Sequence, residues 1–302
     1  MKAFDYFWIV SLSFWMIVNS FELSKSPIER HHHQQIMIAG RRDFMSKILT
    51  TTSGIVATTT LTIPTQVAQA AVNDDELIEV YFGCGCFWHV QHEFVEAERR
   101  ILGRGGKNNN NNDDDVLSIT SRAGYAGGKA GMLNGKVCYH NAAQISDYGK
   151  LGHAEVVRLQ IPSSSFPQFA KEYVALFNDK GYRPDQWGDV GLEYRNLVGI
   201  PGGVKSDYAQ QLVQVSQANG DKLDFAKGKG DDPDARALCF IMDTADFPFY
   251  VAEQYHQFHD GFNWGEDYPN SYNSLASKLA KTNNLGESSC PNGSLGLGVL
   301  GL

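Results

Sequence analysis

The residues best suited to chemistry in this chain stand in one short segment, Gly83 to His89, which holds two cysteines and an aromatic pair. Cys86 falls where a β-rich apolar segment ends and a helical pattern begins, so its sulfur should meet the free N–H groups that stabilise a thiolate at a helix start. The glycines permit a sharp turn. Phe87 and Trp88 add aromatic surface that can enclose a small apolar group. The segment predicts a nucleophilic Cys86, with a buried, inert thiol as the alternative.

Glu155 is the second residue with chemical potential. Counting by twos along a strand-like segment puts it on the same face as Val157, Leu159 and Ile161, which is the apolar face. A carboxyl turned inward loses hydration, and this raises its pKa towards the range useful for a general acid. Because Glu155 lies at the beginning of the strand, escape to solvent at the rim of the sheet is the alternative.

Composition limits the class of protein. The chain has 302 residues, of which 20% are charged and 42% hydrophobic, as expected for a globular protein rather than a disordered one. Its net charge of −8 offers nothing that would recruit nucleic-acid phosphates or an anionic membrane surface. The five cysteines are too sparse and uneven for a disulfide framework, and their odd number predicts at least one free thiol.

Residues 1–70 are predicted to be a targeting region with two consecutive export signals. Lys2 precedes an apolar run over 7–18 that has the length of a secretory signal peptide. Arg41 and Arg42 precede an uncharged stretch that ends at an Ala-Gln-Ala sequence, which is the layout of a twin-arginine signal. Two signals in series favour a plastid with the thylakoid lumen as destination, whereas a bacterial periplasm would need only the second. We expect no membrane association in the mature form.

The periodicities from residue 71 onward predict an α+β domain over 71–285. Four strands and two helices follow one another as β-α-β-β-α-β, the split β-α-β order of a ferredoxin-like sandwich. The predicted strands cover 77–82, 116–123, 153–161 and 194–200, with helices over 90–101 and 166–177. C-terminal additions are a helix over 204–217, a charged loop over 221–234, a strand over 237–242, a helix over 250–259 and a flexible Gly/Ser-rich tail over 286–302.

Five sequence blocks occur in a recognisable order between about residues 77 and 260. They are the Cys-Phe-Trp turn at 86–88, the Gly-Tyr-Ala-Gly-Gly segment at 124–128, the Gly-His-Ala-Glu-Val-Val segment at 152–157, the Asp-to-Arg segment at 189–195 and the Ala-Glu-Gln-Tyr-His-Gln segment at 252–257. Together these blocks resemble the signature of the peptide methionine sulfoxide reductase A family.

The resemblance implies an enzyme that reduces the S epimer of methionine sulfoxide, free or in peptides. It implies that Cys86 attacks the sulfoxide sulfur, that Phe87 and Trp88 hold the substrate methyl group, and that Glu155 protonates the oxygen. Methionine then leaves, and the sulfenic acid on Cys86 condenses with a second thiol to a disulfide that thioredoxin or a similar dithiol reduces. The resemblance implies no metal or organic cofactor.

The remaining polar roles are also implied by the resemblance. Tyr139 and Tyr194 are similar to the hydroxyls that bind the sulfoxide oxygen, and Asp189 to the acid that fixes the site and its water. This chain has extra residues over 141–148, so Tyr148 is an alternative to Tyr139, which is the favoured candidate.

The identity of the resolving cysteine is the least determined feature. Cys290 lies in the glycine-rich tail, which is similar to the family tail that carries recycling cysteines, and it is the favoured candidate. Cys84 is nearer in sequence, but a Cys-x-Cys disulfide closes a strained small ring. Cys138 is a third candidate. Cys239 lies in an apolar strand and is predicted to be buried in the core.

Two other classes of protein remain open from the sequence. A non-catalytic protein could bind oxidised methionine in its partners through the same aromatic pocket. A metal-binding protein could use the Glu-x-x-His and His-x-x-His spacings of a helix together with the cysteine pair. The candidate ligands for such a site are Cys84, Cys86, Glu253, His256 and His259.

Overall fold

The computed structural model describes residues 75–105, 113–131, 136–141, 146–261, 267–286, 288 and 290. The predicted targeting region 1–70 lies outside the described residues, as do most of the tail over 286–302 and most of the asparagine-rich segment over 107–115. Within the described part of the chain, no helix has both the length and the hydropathy needed to cross a membrane.

A seven-stranded sheet forms the centre of the fold. Its strands are β1 (Leu77–Gly83), β2 (Arg122–Ala126), β3 (Ala154–Pro162), β4 (Leu197–Ile200), β5 (Asp224–Lys227), β6 (Leu238–Asp243) and β7 (Tyr250–Val251). They lie in the order β5-β6-β4-β1-β3-β2-β7. Neighbours in the inner set β4-β1-β3-β2 are antiparallel, so β3 lies between the mutually parallel β1 and β2, as the split β-α-β arrangement requires. The predicted α+β, ferredoxin-like fold is confirmed.

The helices pack on this sheet and on one another. They are α1 (Phe87–Ala97), α2 (Asp113–Leu117), α3 (Phe166–Ala175), α4 (Asp207–Ala218) and α5 (Asn270–Lys281). On α1, Phe94 stacks on Phe82 of β1 with ring centroids 4.6 Å apart, and it also faces Phe169 of α3. A π-helical turn, Glu98–Leu102, continues α1. These apolar contacts hold α1 against the sheet and against α3.

The predicted strand over 116–123 begins later than expected, at Arg122, and α2 occupies part of the predicted range. The cause is the buried carboxylate of Glu98. It accepts the backbone N–H groups of Thr120 and Ser121, each at 2.9 Å, in place of a neighbouring strand. Side-chain hydrogen bonding therefore delays the start of strand pairing.

The predicted helix over 250–259 is wrong. Tyr250 and Val251 pair with β2, and a single 3₁₀ turn, Gln254–His256, follows. Gln257 binds the backbone of Ala123 through both its amide oxygen and its amide nitrogen. The free edge of β2 therefore recruits this segment, and its tertiary hydrogen bonds override the helical spacing of its apolar residues. The sequence also missed β5, which lies in the predicted charged loop, and α5.

Candidate active site

The turn between β1 and α1 presents Cys86 at the start of the helix, as predicted. Gly85 has φ +80°, a conformation that favours glycine, and its N–H binds the Tyr194 carbonyl at 3.0 Å. Cys86 is the N-terminal cap residue of α1, with extended backbone angles. The residue is partly exposed and stands where the helix N–H groups begin.

Glu155 lies inside the protein, at the beginning of β3, and is only 2% exposed. Its carboxylate accepts the Phe87 N–H at 3.0 Å and the Tyr148 hydroxyl at 3.0 Å. The Cys86 thiol also acts on this carboxyl and lowers its pKa. Burial raises the pKa of Glu155 to about 7, against the lowering effect of these bonds. The inward-facing carboxyl predicted from the strand pattern is confirmed, with a pKa suited to proton transfer near neutral pH.

The sulfur does not have the low pKa that the helix start alone would give it. Burial, and then the negative charge of Glu155, raise the pKa of Cys86 well above its usual value, while a hydrogen bond from the Trp88 N–H opposes them. The expectation of a resting thiolate is corrected here because desolvation and a neighbouring carboxylate outweigh the helix start. Protonating Glu155 removes the repulsive charge, so ionisation of the thiol is coupled to the state of the carboxyl.

Three tyrosines surround this pair. Tyr148 is buried and donates to Glu155 directly, whereas no such bond is formed by Tyr139 or Tyr194. Burial and then the charge of Glu155 raise the pKa of both Tyr139 and Tyr194, and the charge of Cys86 also acts on both. The ring of Tyr139 lies between those of Tyr148 and His256, at centroid distances of 5.7 and 4.2 Å. Tyr139 and Tyr148, the two alternatives for one of the oxygen-binding hydroxyls, therefore lie in the same site.

Asp189 completes the polar part of the site. It is half-buried, and burial raises its pKa. Its negative charge raises the pKa of Cys86 and of Glu155. Arg183 donates to the Asp189 carbonyl at 2.8 Å and so holds this segment in place. Glu155, Tyr139, Tyr194 and Asp189 therefore all interact electrostatically with Cys86, and their catalytic roles stay predictions.

The aromatic pair forms two different surfaces. Phe87 is 1% exposed and packs against Tyr125 and His256, with ring centroids 6.0 and 5.3 Å away. Trp88 is partly exposed and stacks on His259 at 3.5 Å with nearly parallel planes. An apolar wall beside Cys86 is thus present, and Trp88 is its partly exposed member.

The cysteines are paired differently from the expectation. Cys290 forms a disulfide with Cys138, not with Cys86, which is unpaired. Cys84 and Cys239 are buried, and burial raises the pKa of each to about 12. A resolving role for Cys290 stays a prediction, but in this structure its partner is Cys138. Cys239 lies in the core, as predicted.

The metal-binding alternative required five candidate ligands to lie close together, and the described residues do not show that cluster. Among the described residues, the one group of ligand atoms close enough to hold an ion consists of Cys138, Glu253 and Cys290, and its two sulfurs are joined in the disulfide. The helix that would have aligned His256 and His259 is absent from that stretch of chain, because the segment pairs with β2 instead.

Two positioning residues escaped the sequence interpretation. His140 bridges Asp147 at 2.8 Å and Glu193 at 3.1 Å, and its bond to Glu193 raises its pKa to about 9. This ties the loop that carries Tyr148 to the turn before Tyr194. No spacing signal marks such a contact, because its partners are far apart in sequence.

Arg195 is the second of these residues and is fully buried. Its guanidinium donates to the carbonyls of Leu192, Gly127 and Gly152, at 2.6, 2.7 and 3.0 Å. It therefore joins the loop after β2 and the start of β3 to the turn that carries Tyr194. The sequence feature that could have identified Arg195 is its position at the end of the 189–195 block.

Comparison with known proteins identifies relatives. No protein-family model matches the chain. Peptide methionine sulfoxide reductase MsrA from Pseudomonas aeruginosa PAO1 is 30% identical over 185 residues, which cover 60% of this chain and 67% of that protein. MsrA from Trichodesmium erythraeum IMS101 is 28% identical over 204 residues, or 67% of this chain and 92% of that protein.

Two solved structures are also similar. Methionine sulfoxide reductase A of Corynebacterium diphtheriae aligns over 74% of this chain and 82% of its own, with 17% identity and a TM-score of 0.36. Reduced Mxr1 from Saccharomyces cerevisiae aligns over 65% and 93%, with 17% identity and a TM-score of 0.37. TM-scores this low do not support an assignment to a family, so the assignment rests on sequence identity. By that identity and coverage, this chain belongs to the peptide methionine sulfoxide reductase A family.

Proposed function

We propose that this protein is an oxidoreductase that reduces methionine S-sulfoxide, free or in peptides, to methionine. The observation that carries the proposal is the buried Glu155 carboxyl, which accepts the N–H of Phe87, the residue directly after Cys86 at the start of α1, beside the partly exposed Trp88. Sulfoxide oxygen leaves only when it is protonated, so a nucleophilic sulfur and a proton-bearing group are needed within one pocket.

The chemistry balances within this pair. The proton of the Cys86 thiol passes to Glu155, and Glu155 passes it to the sulfoxide oxygen as the sulfur of Cys86 attacks the substrate sulfur. The sulfur–oxygen bond of the substrate breaks, methionine leaves, and Cys86 carries the oxygen as a sulfenic acid. Sulfur in the substrate is reduced by two electrons and Cys86 is oxidised by two. A carboxyl with a pKa of about 7 serves both proton transfers.

Hydroxyl groups assist the oxygen as its negative charge develops. Tyr148 holds Glu155 through a direct bond, and Tyr139 and Tyr194 lie near the sulfur and the carboxyl. All three keep their protons at neutral pH because burial raises the pKa of each, so each can donate. Tyr139 and Tyr194 donate to the substrate oxygen, and Tyr148 holds the acid in place.

The sulfenic acid is resolved in two exchanges. The thiol of Cys290 condenses with the sulfenic acid of Cys86, releasing water and forming a disulfide between them. The thiol of Cys138 then attacks Cys290, which frees Cys86 and forms the Cys138–Cys290 disulfide that is present in the structure. Thioredoxin or a similar dithiol protein reduces that disulfide and is the external electron donor of the cycle.

Turnover of dabsyl-methionine sulfoxide with dithiothreitol tests the reaction and separates an enzyme from a non-catalytic binder. The S epimer should be reduced and the R epimer left, and Cys86→Ser should abolish turnover. Cys239→Ala is the matched cysteine control and should retain activity, because Cys239 is buried in β6 and its sulfur contacts the Tyr173 hydroxyl rather than Cys86 or Glu155. Full activity in Cys86→Ser would overturn the mechanism.

The resolving route has its own test. Cys290→Ser should keep turnover with dithiothreitol, which can reduce the sulfenic acid directly, and lose it with thioredoxin. Equal loss or equal retention with both reductants would contradict the assignment of Cys290.

Export is part of the proposal. The two signals over 1–70 direct the enzyme to a plastid, and to its thylakoid lumen, where it repairs oxidised proteins. Sequencing the N-terminus of the mature protein tests this, since a start near residue 71 agrees with removal of both signals and a start near residue 21 does not.

A further inference from the structure

Glu253 is a buried carboxyl that the reaction at Cys86 does not use. It is 2% exposed, and in the described part of the chain it forms no ion pair with a Lys, Arg or His. Its two oxygens are bound by different elements. One accepts the backbone N–H of Tyr139 at 2.9 Å, and the other accepts the Tyr125 hydroxyl of β2 at 2.8 Å.

This carboxyl lies beside the disulfide. A carboxylate oxygen of Glu253 and the sulfurs of Cys138 and Cys290 all lie within 4.8 Å of one another. The N–H that Glu253 accepts belongs to the residue directly after Cys138, so the carboxyl is held in place relative to that sulfur. At this range one water molecule can connect an oxygen to a sulfur.

The two sulfurs differ in access. Cys138 is 1% exposed, whereas Cys290 is partly exposed, with its sulfur 3.3 Å from the Val137 carbonyl oxygen. A reductant's thiolate therefore reaches Cys290, and Cys138 is the sulfur that leaves. A thiolate left in the interior is costly because it has lost its hydration, so Cys138 needs a proton as the bond breaks.

We propose that Glu253 is the proton-transfer residue of the Cys138–Cys290 couple. The role of this couple in returning electrons to Cys86 rests on the proposed function above. The external dithiol supplies the electrons. Its first thiolate forms a bond with the sulfur of Cys290 as the disulfide bond breaks, and Cys138 departs with the electron pair and takes the proton of Glu253.

The second half of the exchange restores Glu253. The ionised carboxyl accepts the proton of the reductant's second thiol, which then attacks the first and closes the reductant's own disulfide. Cys290 leaves as a thiolate and is protonated by solvent. Two electrons and two protons have then passed from the reductant to the two cysteines, and no further co-reactant is needed.

The surroundings of Glu253 set the direction of its pH dependence. Burial raises its pKa, and the bonds from Tyr139 and Tyr125 lower it. The acid form therefore persists above the usual range for glutamate and is lost as the pH rises. The titratable groups that face the carboxyl are Tyr125 of β2, Tyr139, Cys138 and Cys290. The charge of Glu155 acts on Tyr125. His256 lies in the following turn, and burial lowers its pKa to about 3.

The test is reduction of the oxidised full-length protein by dithiothreitol, in the absence of any sulfoxide, over a range of pH. Alkylation followed by peptide mass spectrometry measures Cys138 and Cys290 directly. The rate is divided by the dithiothreitol thiolate concentration at each pH. In the wild type this rate should fall as the pH rises. Glu253→Gln should be slower by about tenfold or more at low pH and show no such fall. Glu76→Gln, at an exposed glutamate, is the matched control and should behave as wild type.

Other outcomes are equally decisive. A uniform slowing of Glu253→Gln with the wild-type pH profile retained would mean that Glu253 only supports the structure, and the proposal would be overturned. Tyr125→Phe removes a bond that stabilises the ionised carboxyl, so the fall should move to higher pH, and this carries the test if Glu253→Gln does not fold. An unmoved profile would contradict the proposal. Because no sulfoxide is present, these results stand even if the reduced protein turns over no substrate.

Discussion

Replacing Glu155 with glutamine should have opposite effects on activity and on stability. The glutamine amide fits the same contacts, since its oxygen can accept the Phe87 N–H and its nitrogen can donate to the Tyr148 hydroxyl oxygen. The shape of the site is therefore kept. What the variant loses is the proton that passes between Cys86 and the sulfoxide oxygen.

The loss of activity follows from the role of a general acid. Such a group contributes on the order of 10²–10⁴ in rate, or about 3–5 kcal/mol in the activation free energy. The sulfur should change as well. Glu155 raises the pKa of Cys86 by its charge, so the Cys86 pKa should fall in the variant. Faster alkylation of Cys86 by iodoacetamide near neutral pH would show a more nucleophilic sulfur in a less active enzyme.

The gain in stability follows from linkage. The folded protein holds the Glu155 proton more tightly than the unfolded chain, because burial raises the pKa from 4.5 to about 7. Below the unfolded pKa the carboxyl costs nothing, and as the pH rises through about 7 its ionisation costs about 3 kcal/mol of unfolding free energy. Glutamine removes this cost, so the variant should be more stable than wild type near pH 8 and gain little near pH 4.

Two measurements decide the matter. Steady-state reduction of methionine S-sulfoxide with dithiothreitol gives kcat/KM, and urea unfolding at both pH values gives the free energy of unfolding. The reasoning would be refuted by a variant with kcat/KM within a few-fold of wild type, or by one with no stability gain near pH 8. In the wild type, activity should rise with pH through about 7 as the Cys86–Glu155 pair loses its first proton, and fall at high pH when it loses the second.

Three further predictions concern the frame of the site. Tyr148→Phe removes a bond that lowers the Glu155 pKa, so the rising limb of the pH–rate profile should move to higher pH, and an unmoved limb would contradict this. Gly85→Ala should lower the free energy of unfolding by about 1–3 kcal/mol, measured in urea, because a Cβ at φ +80° meets the Gln186 side chain. Glu98→Ala should cost about 3–5 kcal/mol by the same measurement, since it leaves a buried network unpaired; a loss below about 1 kcal/mol would show that the network contributes little.

Local patterns were sufficient to predict most of the fold. The alternation in β3 placed Glu155 on the buried face, and the change from strand to helix at Cys86 gave the position of the turn. These features depend on neighbours in sequence. The segment over 250–259 was mispredicted because its partner, the edge of β2, lies more than a hundred residues earlier in the chain.

By itself, the sequence determined the order of the first four strands, the cysteine at the start of a helix and the inward carboxyl, because each follows from the spacing of residues along the backbone. Tertiary structure decided the electrostatic state of the site. The high pKa of Cys86, the bond from Tyr148 to Glu155 and the pairing of Cys138 with Cys290 all arise where distant segments exclude water from one another. Desolvation is a property of the packed interior, and no local pattern records it.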